Sequence, residues 1–304
     1  MLTEDRNPRS QLLDTLSSED ICRLMNAEDA SVSAAVQAAI PAIAQAVDRI
    51  AEGMKAGGRL IYVGAGTSGR LAVLDAAECI PTFGIEPGIV IALMAGGADA
   101  FIRPVENAED DALAGANELL ALNLTPHDSV VGLAASGRTP YVLGAINAAR
   151  EKGVLTVGIS CNTPAVLLDK ADIAIPLLVG PEILTGSTRL KAGTAQKMAL
   201  NMLSTAVMIR LGLVYDNWMV GLRVTNQKLL NRARRIVADI IPTDLATAGQ
   251  LLEAAGKDVR TAILMGRFQL NAGQATALLQ SAEGNLRVAL ASANGLGTLG
   301  NTAP

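Results

Sequence analysis

The chain is poor in several residue types, and each shortage excludes something. It has one histidine, one tryptophan, three cysteines and only 2% aromatic residues in 304 positions. His127, in Leu124-Thr-Pro-His-Asp128, precedes a strand pattern and reads as a loop or capping residue, so no metal site is visible. Cys22, Cys79 and Cys161 are odd in number and include no CxxC pair. They read as reduced cytosolic thiols, not as a disulfide frame. So few aromatics leave little to stack on bases, and Trp218 and Phe268 read as packing residues. No basic run is present and the net charge is −4, which makes nucleic acid and anionic membrane poor partners. The most apolar helix pattern, Met198–Val214, is interrupted by Asn201, Ser204 and Arg210 and is not expected to span a membrane. The opening residues, Met1 to Pro8, are polar and carry no signal-peptide core. The expectation is a soluble, cytoplasmic protein. Half of its residues are hydrophobic, enough for a substantial core.

What is present is organised around Leu60-Ile-Tyr-Val-Gly-Ala-Gly-Thr-Ser-Gly-Arg70. Leu60–Val63 reads as a buried strand, Gly64 and Gly66 as a tight turn, and Thr67-Ser68-Gly69 as a helix start. Free N–H groups and the positive end of a helix dipole make such a turn an anion site. The spacing Gly64-x-Gly66-x-x-Gly69 also fits a dinucleotide loop, so the glycines alone decide nothing. The small hydroxyls of Thr67 and Ser68, and the lack of an acidic ribose anchor about 20 residues on, favour a compact phosphate.

Around this stretch the chain alternates. Helix patterns follow Ser17 and run from Ser31 to Lys55. Strands are expected at Leu60–Val63, Ile89–Leu93, Ser129–Ala134, Leu155–Ser160 and Ile173–Val179. Helices are expected at Ser68–Cys79, Asn107–Leu122, Pro140–Lys152, Ala165–Lys170 and about Thr194–Leu211. Short apolar strands separated by helices predict an α/β fold, a doubly wound parallel five-stranded sheet. Thr243-Asp244, Asp258 and Asn271 each precede a short helical pattern, with breaks at Gly256, Gly266 and Gly284, which predicts a small C-terminal helical bundle. The organisation expected is N-terminal helices over 1–55, the sheet domain over 56–231, a helical domain over 232–291 and a mobile tail over 292–304.

Three stretches carry chemistry. Ala134-Ala-Ser-Gly-Arg-Thr-Pro140 repeats the first loop's design, with Ser136, Gly137, Arg138 and Thr139 before a proline suited to a first helical position. Two such loops at the carboxyl ends of parallel strands should face one crevice, although Ser and Thr could also merely cap their helices. Gly180–Lys197 is dense in glycine, hydroxyl and cationic residues, including Glu182, Ser187, Arg189 and Lys191. Lys191 or Arg189 could reach a phosphate, or could only neutralise Glu182. Two carboxylates also stand out. Glu78 lies just before Ile80-Pro81 ends the first helix, where the dipole should raise its pKa. Glu109 follows Asn107, which can cap a new helix whose dipole favours the ionised form. That pairing is how an acid and a base are assigned, while first-turn acids are also ordinary dipole complements.

Gly64–Arg70, Asp75–Pro81, Val105–Asp110, Ala134–Pro140 and Gly180–Lys197 resemble the motifs of the sugar isomerase (SIS) fold. Within it, they resemble the N-acetylmuramic acid 6-phosphate etherase family, over most of the chain. The last stretch is similar to a signature shared with glucokinase regulatory protein. The resemblance implies a homodimeric cytoplasmic lyase of cell-wall recycling that uses no metal or other cofactor and releases D-lactate from a phosphorylated amino sugar. It also implies that Glu78 and Glu109 are the catalytic pair. Candidate phosphate and substrate contacts are Gly66, Thr67, Ser68, Ser136, Gly137, Arg138, Thr139, Glu182, Ser187 and Lys191. Ala77 stands where many members carry serine. Two other readings share the fold: an aldose–ketose isomerase, and a non-catalytic sugar-phosphate-sensing regulator. Such regulators resemble two tandem copies of this domain, and this chain holds one set of motifs.

Overall fold

Residues 1–299 are described in the computed structural model. Five strands, β1 (Leu60–Gly64), β2 (Val90–Met94), β3 (Ser129–Leu133), β4 (Leu155–Ser160) and β5 (Ile173–Pro176), form one sheet in the order β2-β1-β3-β4-β5. All four pairings are parallel. Every residue of β1 and β3 is buried, as strands covered on both faces must be. The chain leaves β1 for β2 on one side and later crosses to β3 on the other, so the sheet's switch point lies between β1 and β3. Gly64 pairs with Leu133, so both strands end level and their following loops leave the sheet side by side.

The helices are α1 (Ser18–Asp29), α2 (Val32–Lys55), α3 (Gly66–Phe83), α4 (Asp99–Ile102), α5 (Ala112–Leu120), α6 (Pro140–Glu151), α7 (Val166–Lys170), α8 (Lys191–Arg210), α9 (Gln227–Ile240), α10 (Leu245–Ala254), α11 (Val259–Phe268), α12 (Ala272–Ser281) and α13 (Leu286–Leu299). On one face of the sheet, Ile61, Val63 and Val130 pack with Leu119, Tyr141, Val142 and Ile146 of α5 and α6. Helix α2 covers β4 and β5 with Val36, Ile43, Val47 and Ile50 inside. The stretch Ser18–Lys55 is long and apolar enough by length and composition to cross a membrane; α2's apolar stripe is spent on this core instead.

Some boundaries differ from the sequence reading. Pro81 does not stop α3, which runs on to Phe83. Asn107 does not cap α5. It sits in the left-handed region at φ 59°, a single 3-10 turn Ala108–Asp110 follows, and Asp111 is the cap, accepting the Ala114 N–H at 2.9 Å. Helix α8 starts at Lys191, because Glu182 accepts the Lys191 and Ala192 N–H groups at 3.0 and 2.9 Å.

The chain divides into two compact units, Met1–Ala77 with Gly88–Val207, and Glu78–Pro87 with the residues from Met208 on. The second unit has its own core, in which Val220 and Leu222 join Ile236, Leu252, Ile263 and Leu286. Its helices begin where their caps predict. Asp244 accepts from Ala246 and Thr247, Asp258 accepts from Thr261, and Asn271 forms a reciprocal capping box with Gln274. Gly266, expected as a break, is interior to α11. Helix α13 continues through Leu299, inside the stretch expected as a mobile tail; the last part of that tail, 300–304, lies outside the described residues.

Candidate active site

The first anion loop runs from Ala65 into α3. Gly66 is exposed at φ +54°, a conformation in which only glycine is at ease, and it opens the helix. Ser68 is buried and donates its hydroxyl to Gln196 Oε1 on α8 at 2.8 Å. Thr67 lies against Gly193, where an added methyl would sit 3.4 Å from its Cγ2. The first loop and the Gly180–Lys197 stretch therefore meet through α8.

The second loop repeats the design at β3. Gly137 has φ +67° and donates its N–H to Ala134, while Arg138 N–H reaches Ser136 Oγ at 3.2 Å. Pro140 is the first residue of α6, as expected, with Thr139 before it; the Thr139 side chain makes no cap bond. Arg138 is exposed. The Ala135 carbonyl behind this loop accepts from Cys161 N–H and from Asn162 Nδ2. Asn162 also exchanges bonds with Thr3, at 3.2 and 2.9 Å, so the start of the chain backs the second loop.

In the third stretch, Ser187 is half-buried and Arg189 is exposed. Lys191 is 3% exposed, and its ammonium pairs with Glu28 of α1 at 2.7 Å, not with Glu182. Glu28 also takes Asn7 Nδ2 and Arg9 Nη1, each at 2.8 Å. Burial alone would raise the Glu28 carboxyl; the Lys191 and Asn7 bonds and the neighbouring cations outweigh it and hold the carboxyl below the ordinary range. Burial and the Glu182 charge push the Cys161 thiol up to about 12, which keeps it protonated and non-nucleophilic.

Glu109 stands on the 3-10 turn after Asn107. It lines a cavity of about 420 Å³ together with Gly66, Arg70, Met94, Glu106 and Asn107. Arg70 fixes this wall, donating Nε to the Phe101 carbonyl at 3.0 Å and Nη2 to the Ala100 carbonyl at 2.7 Å. Three acidic residues, Glu106, Glu109 and Asp110, thus share this space with one guanidinium and the helix N-terminus at Gly66, whose free N–H groups favour an anion. Glu78 is exposed further along α3, in the second unit, and does not line this cavity. The sequence reading passed over four residues that shape the site: Arg70, Asn162, Gln196 and Glu28. Arg70 lies within the first motif and could have been weighed there, whereas the other three bond to partners far away in the chain. Asp75 on α3 is buried and accepts from Tyr62, Asn201 and Ser204; burial pushes its carboxyl above the ordinary range despite those donors.

Residues 42–150 match the model of the glucokinase regulatory protein N-terminal SIS domain, and residues 112–206 match that of the SIS domain. An N-acetylmuramic acid 6-phosphate etherase from Pectobacterium atrosepticum is 52% identical over 290 residues, covering 95% of this chain and 96% of the relative. The chain belongs to the N-acetylmuramic acid 6-phosphate etherase family. Etherases of that name from Serratia proteamaculans and Caldanaerobacter subterraneus are 52% and 48% identical over 95% of the chain, covering 98% and 95% of those proteins. A solved phosphoheptose isomerase from Francisella tularensis aligns with a TM-score of 0.50 at 20% identity, over 64% of this chain and all of that one. It shares the fold alone. Within the etherase family's frame, the SIS matches span both anion loops and most of α8.

Proposed function

We propose that this chain cleaves the C3 lactyl ether of N-acetylmuramic acid 6-phosphate, giving N-acetylglucosamine 6-phosphate and D-lactate. The cavity shared by Glu109, Arg70 and the Gly66 end of α3 carries the reading, because it sets a carboxylate beside an anion site. Membership of the etherase family supplies the substrate.

An alkoxide is a poor leaving group, so direct displacement at C3 is slow. In the open-chain aldehyde the C2 proton is acidic, because its removal gives an enolate. Glu109 takes that proton, the C2 electron pair forms the C2–C3 double bond, and the C3–O bond breaks. Glu78 gives its proton to the departing lactyl oxygen. The Glu78 carboxylate then takes a proton from water, the hydroxyl adds to C3, and Glu109 returns a proton to C2. Both carboxyl groups end as they began, and one water is consumed. The phosphate is held by the α3 N-terminus with Thr67 and Ser68, and by Ser136, Gly137, Arg138 and Thr139 of the second loop. In this reading Glu182, Ser187 and Lys191 shape the third side, and the enzyme is a cytoplasmic homodimer of cell-wall recycling.

The test is incubation with N-acetylmuramic acid 6-phosphate in deuterated water, assaying lactate and the mass of the sugar product. Free lactate with one deuterium at C2 is expected. Deuterium without lactate would replace this reading with an isomerase-like proton transfer. A bound sugar phosphate with neither signal would make the protein a sensor.

A further inference from the structure

Gln196 is 1% exposed on α8, and its Nε2 is buried with no hydrogen-bond partner among the described residues. The other half of the same carboxamide, Oε1, holds the Ser68 hydroxyl at 2.8 Å. An unpaired buried amide N–H forfeits its hydration without a replacement bond, so native interiors seldom keep one without use. A half-turn of the carboxamide exchanges its oxygen and nitrogen without changing its volume. Nε2 then donates to Ser68 Oγ, and the serine hydrogen, which had been committed to Oε1, is released. Ser68 lies in the first turn of α3, where free N–H groups and the dipole already favour an anion.

We propose that Gln196 is a positioning residue for Ser68. With its amide in one orientation the Ser68 hydroxyl is tied to α8. In the other, Ser68 accepts from Gln196 and donates to an oxygen of the bound phosphate. An anion at the loop selects the second orientation, because only there does Ser68 have a hydrogen to give. This rests on the phosphosugar reading above and adds a residue on a different helix, one hydrogen-bonded to Ser68.

The test compares Kd for N-acetylglucosamine 6-phosphate, measured by calorimetry on the full-length chain between pH 5.5 and 8.5. The proteins compared are wild type, Gln196→Glu, Gln196→Met, Ser68→Ala and the Ser68→Ala/Gln196→Glu pair. A carboxylate at 196 can only accept, so Gln196→Glu locks Ser68 in the tied state. At pH 8.5 its Kd is expected to be at least about tenfold above wild type. Relative to wild type at the same pH, the deficit shrinks towards pH 5.5, where a protonated carboxyl can donate as the amide did. Gln196→Met is expected to lose affinity without that pH dependence, and it carries the test if the glutamate variant does not fold. In the Ser68→Ala background, Gln196→Glu is expected to add less than about twofold, because its route to the ligand is gone. A Gln196→Glu affinity equal to wild type, a deficit independent of pH, or full additivity with Ser68→Ala would each overturn the proposal. Lactate release by the wild type is assayed alongside. If it fails while these binding differences hold, the etherase reading falls and the role of Gln196 stands.

Discussion

Lys191 and Glu28, 163 positions apart in the chain, meet at 2.7 Å with both side chains buried. Glu28 gathers Asn7 and Arg9 on the same carboxylate, and Asn7 also donates to the Pro181 carbonyl at 3.2 Å. The N-terminal segment is thereby riveted to the loop that leads into α8. Removing one partner of a buried pair strands the other charge, which costs about 3–5 kcal/mol. Lys191→Met and Glu28→Gln are each expected to lower stability by about that amount in denaturant unfolding. The double variant should lose less than the sum of the two. Full additivity would mean the two groups do not act as a pair.

The same carboxylate sets an acid limit. Glu28 and Asp128 both titrate below their ordinary values of 4.5 and 3.8. For each, burial pushes upward and is outweighed, by Lys191 and Asn7 for Glu28 and by the Arg59 guanidinium for Asp128. A carboxyl with a depressed folded-state pKa contributes stability that is fully present above its unfolded value and is lost as pH falls through the folded one. Asp75 is shifted the other way, so its contribution is lost as pH rises through its folded value. Thermal melting is expected to fall off below about pH 4.5, and less steeply in Glu28→Gln than in wild type. An unchanged slope in that variant would remove Glu28 from the acid limit.

The two glutamates should separate by the step that each variant blocks. Glu109→Gln cannot take the C2 proton and is expected to lose both deuterium exchange and lactate release, by at least about a hundredfold. Glu78→Gln is expected to abolish lactate release. If Glu109→Gln still exchanged the C2 proton at the wild-type rate, the base would have to be found elsewhere.

Local chemistry made most of the fold legible. The strands announced themselves as short apolar runs between helices, and Pro140, Asp244, Asp258 and Asn271 mark helix starts by what their backbones and side chains can do. The misreadings have physical causes too. Asn107 and Asp111 are both good caps four residues apart, and only the left-handed backbone at Asn107 decides between them. Pro81 removes one N–H donor, and α3 continues past it to Phe83 all the same. At the site, the glycine and hydroxyl loops could be read because their spacing is local. Glu28 as the partner of Lys191, Gln196 as the partner of Ser68 and Thr3 as the partner of Asn162 could not, since each bond joins residues more than 120 positions apart in the sequence.

Arg70 holds the wall that carries Glu109 through the Ala100 and Phe101 carbonyls. Hydrogen bonds from a charged donor are worth about 1.5–3 kcal/mol each, and helix α4 has only four residues to hold itself. Arg70→Met is expected to speed amide exchange across residues 99–110 and to lower kcat/KM by at least about tenfold, with little change in global unfolding. Arg70→Lys, which keeps one donor position, should fall between. Unchanged exchange in 99–110 would mean this wall stands without Arg70.

Gly66 and Gly137 occupy corresponding turns of the two anion loops, and replacing each by alanine should have opposite consequences. At Gly137, with φ +67°, a methyl would lie 2.5 Å from Ala165 Cβ and 2.6 Å from Ser160 Oγ, so backbone strain and a buried clash add together. Gly137→Ala is expected to cost several kcal/mol, at about 3 or more, and to lower the melting temperature sharply. At Gly66, with φ +54°, an added methyl meets nothing within 4 Å among the described residues. Only the left-handed strain of about 1–2 kcal/mol remains, and the protein should stay folded. That methyl would, however, stand at the wall of the cavity, where the backbone must let an anion approach. Gly66→Ala is therefore expected to weaken binding of N-acetylglucosamine 6-phosphate by at least about tenfold, with nearly native melting. Calorimetric titration and melting on the same preparation decide it. Wild-type affinity in Gly66→Ala would mean that the phosphate does not sit against this turn, and would leave the second loop as its holder.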